Sequence, residues 1–391
     1  MDKSLFKIKF NKCLLMLAVL FIAAIIVATS FATQTTFVSA APEGINCSAK
    51  SMIVIETLQG KVLYAKNENE KLPMASTTKI VTALTVIENV DDLDKLVTVP
   101  KRATLVEGSS IYLKENEQLT IKQLLYGLML QSGNDAALTL ALEVGKGNVQ
   151  EFSEMMNETA LKCGCKDSHF VTPHGLDDPE HFTTASDLAK ITAVALKNPV
   201  FREIVSCQKY IIRATEHNTA RTLINKNKLL RSLDGCIGVK TGYTKKSGRC
   251  LVSACKRDNM EVVCVVLNCG PMFEESMELI NKAYDEYRHY DVLSKYKVVD
   301  NVTVDNGENS STRIYHKNGF SVVCKKGDED KYTVKYDYPT NVKAPIAKGQ
   351  KIGEVKIYYD NDLIFTEDLC SIEDVGTIKP ETKLKDILDK W

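Results

Sequence analysis

The 391-residue chain has no surplus of charge: lysine plus arginine and aspartate plus glutamate stand at 50 each. A nucleic-acid binder gathers positive charge on one face or tail, so the balance argues against that class, although a neutral protein can still hold one cationic pocket. No repeat of fixed period runs along the chain, which argues against solenoids and arrays. No uninterrupted apolar run reaches the about 20 residues that a spanning helix needs. The greasiest stretch, Cys13 to Val27, extends only patchily to Phe31. It follows Lys3, Lys7, Lys9 and Lys12, and Val38-Ser39-Ala40 precedes Ala41. Residues 1–40 therefore read as a cleaved export signal, the alternative being an uncleaved anchor. Either way the remainder is extracytoplasmic, secreted or on the outer face of the cytoplasmic membrane.

Cysteine is not scarce, with 12 residues, but its spacing lacks any stapled-scaffold pattern. Cys250, Cys255, Cys264 and Cys269 lie in or beside valine-rich runs, where cysteine serves as a small buried apolar residue. Cys163-x-Cys165, followed by His169 and His174, fits no standard zinc frame. No metal and no organic cofactor is expected.

A hydrophobic fraction of 44% is that of a globular protein. Ser51 to Thr57 and Lys61 to Lys66 read as a hairpin turning at Gln59-Gly60. After Pro73 a helix presents Ile80, Ala83, Leu84 and Ile87 on one apolar face. Helical runs follow at Ile121 to Leu130 and from Asp135 to near Gly145. A Pro-, His-, Gly- and Asp-rich loop covers Thr172 to Phe182, with Thr184 or Ser186 placed to cap the next helix. Strands return from Cys236, and Glu274 to Tyr287 reads as a closing helix. The expected fold is α+β and three-layered, an antiparallel sheet with helices over about residues 44–290. Short strands among Gly, Asn and Asp turns then indicate a small all-β domain over 291–375, followed by a short tail, 376–391.

Chemistry enters at Leu72 to Glu88, "LPMASTTKIVTALTVIE". Ser-x-x-Lys alone is weak, because it also occurs at Ser4/Lys7, Ser206/Lys209, Ser253/Lys256 and Ser294/Lys297. Taken alone, Ser76 is an ordinary helix N-cap, Ser132-Gly133-Asn134 a helix connection and Lys240-Thr241-Gly242 a strand entering a turn. Their order and contexts change that reading. Ser76-Thr77-Thr78-Lys79 opens a helix, Ser132-Gly133-Asn134 joins two helices, and Lys240-Thr241-Gly242 lies on a strand.

This set resembles the penicillin-recognising serine enzymes of the β-lactamase/transpeptidase-like superfamily. The resemblance is closest to the serine-type D-alanyl-D-alanine carboxypeptidases, the low-molecular-mass penicillin-binding proteins. "HFVTPHGLDDPEHFTTASDLA" and "NKNKLL" are similar to that family's connecting segments. The resemblance implies an enzyme that removes the terminal D-alanine from peptidoglycan stem peptides through an acyl-enzyme on Ser76. A lysine three residues on along a helix can reach the serine hydroxyl, so Lys79 is the expected base once desolvation makes it neutral. Ser132 is expected to relay the proton to the leaving amine. Asn134 can bond the substrate amide, and Lys240 and Thr241 its carboxylate, while Gly242 leaves the strand edge clear. By resemblance the oxyanion hole is the N–H of Ser76 and that of Tyr243.

Class A β-lactamases share the motifs but need a glutamate for deacylation. Asp177, Asp178 and Glu180 do not stand in the Glu-x-x-Leu-Asn setting those enzymes use, so β-lactams are expected to inhibit. Rival readings are a transpeptidase, endopeptidase or β-lactamase of the superfamily, and a wall-binding protein without turnover. Some relatives carry an arginine after the last core strand; "CGPMFEESMELINK" has none. In the tail, Leu384, Ile387, Leu388 and Trp391 recur at helical spacing, consistent with a surface-lying amphipathic helix or with packing on the β domain.

Overall fold

The computed structural model describes residues 45–379. Residues 1–40, read as an export signal, and residues 380–391 of the tail lie outside the described residues. β1 (Ser51–Glu56) and β2 (Val62–Lys66) pair as the expected hairpin. Its turn is held by the buried Glu56 carboxylate, which accepts from the backbone N–H groups of Leu58, Gln59 and Lys61.

Among the described residues six helices of eight residues or more follow: α1 (Lys79–Glu88), α2 (Ile121–Leu130), α3 (Asn134–Val144), α4 (Val149–Lys162), α5 (Ala185–Ala195) and α6 (Pro199–Ser206). Short ribbons β3 (Leu96–Thr98) with β4 (Gln118–Thr120), and β5 (Lys209–Ile212) with β6 (Arg221–Ile224), punctuate them. Thr120 caps α2 in a capping box with Gln123, and Thr184, one of the two expected caps, accepts from Asp187 N at the start of α5. β7 (Cys236–Thr244), β8 (Gly248–Arg257), β9 (Met260–Leu267) and α7 (Met272–Glu286) complete the layer structure.

The central sheet is antiparallel, in the order β2-β1-β9-β8-β7. Both of its faces are covered, which is why its strands read as continuous apolar runs. Side chains alternate along a strand. Ile53, Ile55, Val263, Val265 and Leu267 thus join the core beneath α1 to α6, while Met52, Val54, Val262, Cys264 and Val266 join the core beneath α7. This is the three-layer arrangement expected of the sequence.

Helix α1 is buried beyond the one apolar face read from its sequence. Every residue from Lys79 to Val86 is buried, so the helix is the centre of its layer rather than a half-exposed amphipath. Thr82 and Thr85 sit on its nominally polar face. Thr82 Oγ1 donates to Pro173 O at 2.7 Å, which lets a hydroxyl enter the core satisfied. Nor does Ser76 cap this helix: Ala75–Thr78 form a 3₁₀ turn ahead of α1, and no side-chain cap bond is made there.

The C-terminal part is all β. β10 (Tyr287–Leu293) pairs with β13 (Phe320–Lys325). A six-stranded sheet gathers β11 (Lys297–Asp305), β12 (Ser311–His316), β14 (Tyr332–Asp337), β15 (Asn341–Lys343), β16 (Lys351–Tyr359) and β17 (Asp362–Ser371), in the order β14-β16-β17-β12-β11-β15. Leu293, Val302, Ile314, Val355, Ile357 and Leu369 form its small core. Among the described residues no helix is long and apolar enough to cross a membrane.

Candidate active site

The turn that carries Ser76 is built by its neighbours. Ala75 is held at φ 49°. Thr77 Oγ1 donates to Met74 O at 2.6 Å and Thr78 Oγ1 to Ala75 O at 2.8 Å, tightening the chain into the 3₁₀ turn. His181 contacts Thr78 Oγ1 through Nε2 at 2.8 Å. Its Nδ1 accepts from Val171 N at 2.9 Å, so the proton sits on Nε2 and is donated to the threonine. Burial pushes the His181 pKa down to about 4, which keeps that tautomer neutral. Two glycines let other segments come close. A Cβ on Gly175, at φ 83°, would lie 1.9 Å from Ala75 O; one on Gly242 would lie 2.9 Å from Met74 O and 3.1 Å from Ser76 N. Edge strand β7 therefore lies directly against the Ser76 turn.

Lys79 is fully buried. Its Nζ lies 2.9 Å from Ser76 Oγ, 2.7 Å from Asn134 Oδ1 and 2.6 Å from the His174 carbonyl oxygen. Burial, reinforced by the positive charges of Lys240 and Lys226, holds its pKa well below the ordinary lysine range. Lys240 is buried as well, with Nζ donating to Thr241 O at 2.9 Å. Burial and then Lys226 push its pKa down to about 7.

Asn134 is held from both ends. Its N–H donates to Ser109 O at 2.7 Å and its Nδ2 to Glu107 O at 2.6 Å. The loop supplying those carbonyls is anchored by buried Asp135, whose carboxylate accepts from Ser110 Oγ and from the N–H groups of Ile111 and Leu113. Ser132 adopts φ 62°, and its buried Oγ is among the described side-chain atoms without a hydrogen-bond partner. Thr241 is half-buried, and the Tyr243 ring projects from the strand with 65% of its surface exposed.

The structure thus joins Ser76, Lys79 and Asn134 by hydrogen bonds, lays Gly242 on the Ser76 turn and sets Lys240 within electrostatic reach of Lys79. Ser132 is two residues from Asn134 with its hydroxyl unclaimed. Sequence reasoning missed Lys226, His181, Gly175, Asp135 and the His174 carbonyl. "NKNKLL" and the two histidines of "HGLDDPEH" were the available signals. In the Cys163 to His174 stretch, Cys165 Sγ donates to Asp187 O at 3.4 Å, His169 Nδ1 contacts Glu180 O at 2.7 Å, and His174 Nδ1 accepts from Leu176 N at 3.2 Å. Among the described residues no group of His, Cys, Asp and Glu could hold a metal ion.

Known proteins resemble this chain along most of its length. The chain is 32% identical over 354 residues to D-alanyl-D-alanine carboxypeptidase DacF of Bacillus subtilis, covering 88% of this chain and 90% of the relative. Penicillin-binding protein 5 of Haemophilus influenzae superposes with a TM-score of 0.67 at 27% identity, over 86% of this chain and 100% of that one. The DD-transpeptidase of Streptomyces K15 superposes with a TM-score of 0.59 at 31% identity, over 63% of this chain and 100% of its own. Residues 287–377 match the penicillin-binding protein 5 C-terminal domain. Residues 35–270, more than half of the sequence, match the D-alanyl-D-alanine carboxypeptidase model, and the chain accordingly belongs to the D-alanyl-D-alanine carboxypeptidase family of serine peptidases.

Proposed function

We propose that the protein hydrolyses the terminal D-Ala-D-Ala bond of peptidoglycan stem peptides, with Ser76 as nucleophile and Lys79 as its base. The observation that carries this is the three-way environment of Lys79 Nζ. A neutral amine has two N–H bonds and one lone pair. Asn134 Oδ1 and His174 O take the N–H bonds, which leaves the lone pair facing Ser76 Oγ. The hydroxyl then donates to the amine, and the activated oxygen attacks the carbonyl of the penultimate residue. Ser132, with an unclaimed hydroxyl, passes the proton to the departing amine of the terminal D-alanine. Water then cleaves the ester and restores Ser76. The N–H groups of Ser76 and Tyr243 stabilise the oxyanion, by about 3 kcal/mol each. The close packing of β7 on the turn supports that placement: a Cβ on Gly242 would lie 3.1 Å from Ser76 N. Lys240 and Thr241 bind the free carboxylate, whose negative charge favours the protonated form of Lys240.

β-Lactams present the same acyl bond and acylate Ser76. Their slow release follows from the surroundings of Lys79. A carbonyl, that of His174, occupies the third position on Nζ, and Asp177 is turned to Thr244 Oγ1 at 2.9 Å. The protein acts outside the cytoplasm, and residues 376–391 hold it on the membrane surface. Fluorescent penicillin followed by peptide mapping tests the assignment: the adduct belongs on Ser76, with D-alanine released from a diacyl-D-Ala-D-Ala peptide. An adduct on Ser206 or Ser253 overturns it, and rapid turnover of a chromogenic cephalosporin makes the protein a β-lactamase instead.

A further inference from the structure

We propose that Cys47 and Cys269 form a redox pair that closes into a disulfide, clamping the segment ahead of β1 to the end of β9. The backbone brings them together. Ser51 pairs with Leu267, and Lys50 N donates to Leu267 O at 3.1 Å, so the chain before β1 continues antiparallel past β9. Cys47 and Cys269 meet on that continuation. Both sulfurs sit on the same oxygen: Cys47 Sγ donates to Glu275 Oε2 at 2.6 Å and Cys269 Sγ to the same atom at 3.5 Å. Ser48 Oγ lies 3.8 Å from Cys269 Sγ. Each thiol therefore already has the other beside it, with a proton acceptor shared between them.

Glu275 does not depend on the thiols for its position. It stands in the first turn of α7 and accepts from Ser48 N at 2.9 Å through Oε1. It remains anchored after the thiol protons leave. Cys250 and Cys264 are different: each is buried inside the sheet and packs as an apolar side chain.

The oxidant required is a disulfide of low molecular mass or of a thiol oxidoreductase. Glu275 takes the Cys47 proton, and the thiolate attacks one sulfur of the oxidant, expelling a thiolate that leaves as a thiol after protonation. The Cys269 thiolate then attacks Cys47 Sγ and expels the second. Two electrons and two protons pass to the oxidant, and one S–S bond forms in the protein. Both side chains are shielded, 6% and 0% exposed, so the reaction occurs while the segment docks during folding or when it opens. The loop so closed contains Ser76, Ser132 and Lys240. The crosslink consequently restrains the unfolded form of the entire catalytic unit.

The test uses the full chain. Reduced protein is equilibrated with oxidised and reduced glutathione, remaining thiols are alkylated in denaturant, and the digest is mapped by mass. The expected result is a Cys47 peptide joined to a Cys269 peptide with loss of two hydrogen atoms, while Cys250 and Cys264 are alkylated. The oxidised form should melt roughly 5–10 °C above the reduced form. That difference should vanish in Cys47→Ser and in Cys269→Ser. Should either variant misfold, the oxidised and reduced wild-type proteins still give the comparison. Full alkylation of both cysteines after equilibration overturns the proposal. So does capture of Cys47 by glutathione alone or by a different cysteine, or protection of the pair by zinc that a chelator reverses. None of these outcomes depends on whether Ser76 is the acylated residue.

Discussion

A lysine side chain ordinarily stays charged, and at position 79 burial and the charges of Lys240 and Lys226 shift the balance toward the neutral amine. Nothing acidic touches Nζ; its partners are a hydroxyl, an amide oxygen and a carbonyl, all of which a neutral amine satisfies. Lys79→Ala should therefore lower the rate of penicillin acylation by about 10²–10⁴, the range of a lost general base. Ser76→Ala should abolish labelling and leave the melting temperature nearly unchanged. A labelled Ser76→Ala protein would remove Ser76 from the mechanism. The second buried lysine gives a pH prediction. The cationic fraction of Lys240 falls as pH rises through about 7, so kcat/KM for a carboxylate-bearing peptide should decline on the alkaline side. Lys226 depresses both Lys79 and Lys240 by like-charge repulsion. Lys226→Gln should accordingly move both limbs of the profile to higher pH. A profile that keeps its position would show that Lys226 does not act through charge.

At the scale of elements, the Ser76 turn is a joint where α1, the 172–182 loop and β7 are pressed together. Gly242→Ala places a methyl 2.9 Å from Met74 O and 3.1 Å from Ser76 and Thr77 N, so turn or strand must shift. A displacement of that order at a reacting atom costs about 10²-fold in rate. Acylation kinetics should record that loss in a protein whose circular dichroism is unchanged; wild-type kinetics would mean that β7 does not define the cleft. His181 works on the same joint through Thr78. His181→Ala should slow acylation by about 10-fold, and His181→Gln, which can both donate and accept, should recover part of it. The motif residues were legible in the sequence because their chemistry is tied to residue type and their spacing to α1, α3 and β7. His181 and Gly175 were not, because they act on the turn through contacts that span about a hundred residues of chain. The full burial of α1 was not legible for a related reason. Threonine looks polar in a periodicity, and only the neighbouring Pro173 carbonyl shows that Thr82 is satisfied inside.

At the scale of the molecule, the two parts of the chain share a small contact. Val323 of β13 and Tyr287 of β10 enter the core beneath α7, Tyr64 meets Tyr287 edge-on at 6.0 Å, and Lys61 Nζ donates to Val323 O at 3.1 Å. The active-site residues all precede Tyr287. A chain ending at Tyr290 keeps Tyr287 but loses Val323 and the acceptor for Lys61. Uncovering that valine and losing three hydrogen bonds, that of Lys61 and those from Lys326 to Glu286 O and Tyr284 O, is worth about 3–5 kcal/mol, or roughly 10–15 °C in melting temperature for a domain of this size. The truncated protein should nonetheless bind fluorescent penicillin at the wild-type rate, because no described hydrogen bond of Ser76, Lys79 or Asn134 reaches beyond His174. Loss of labelling from a truncated chain that still melts cooperatively would place part of the catalytic apparatus in the β domain. Retained labelling would show that acylation of Ser76 needs nothing from that domain.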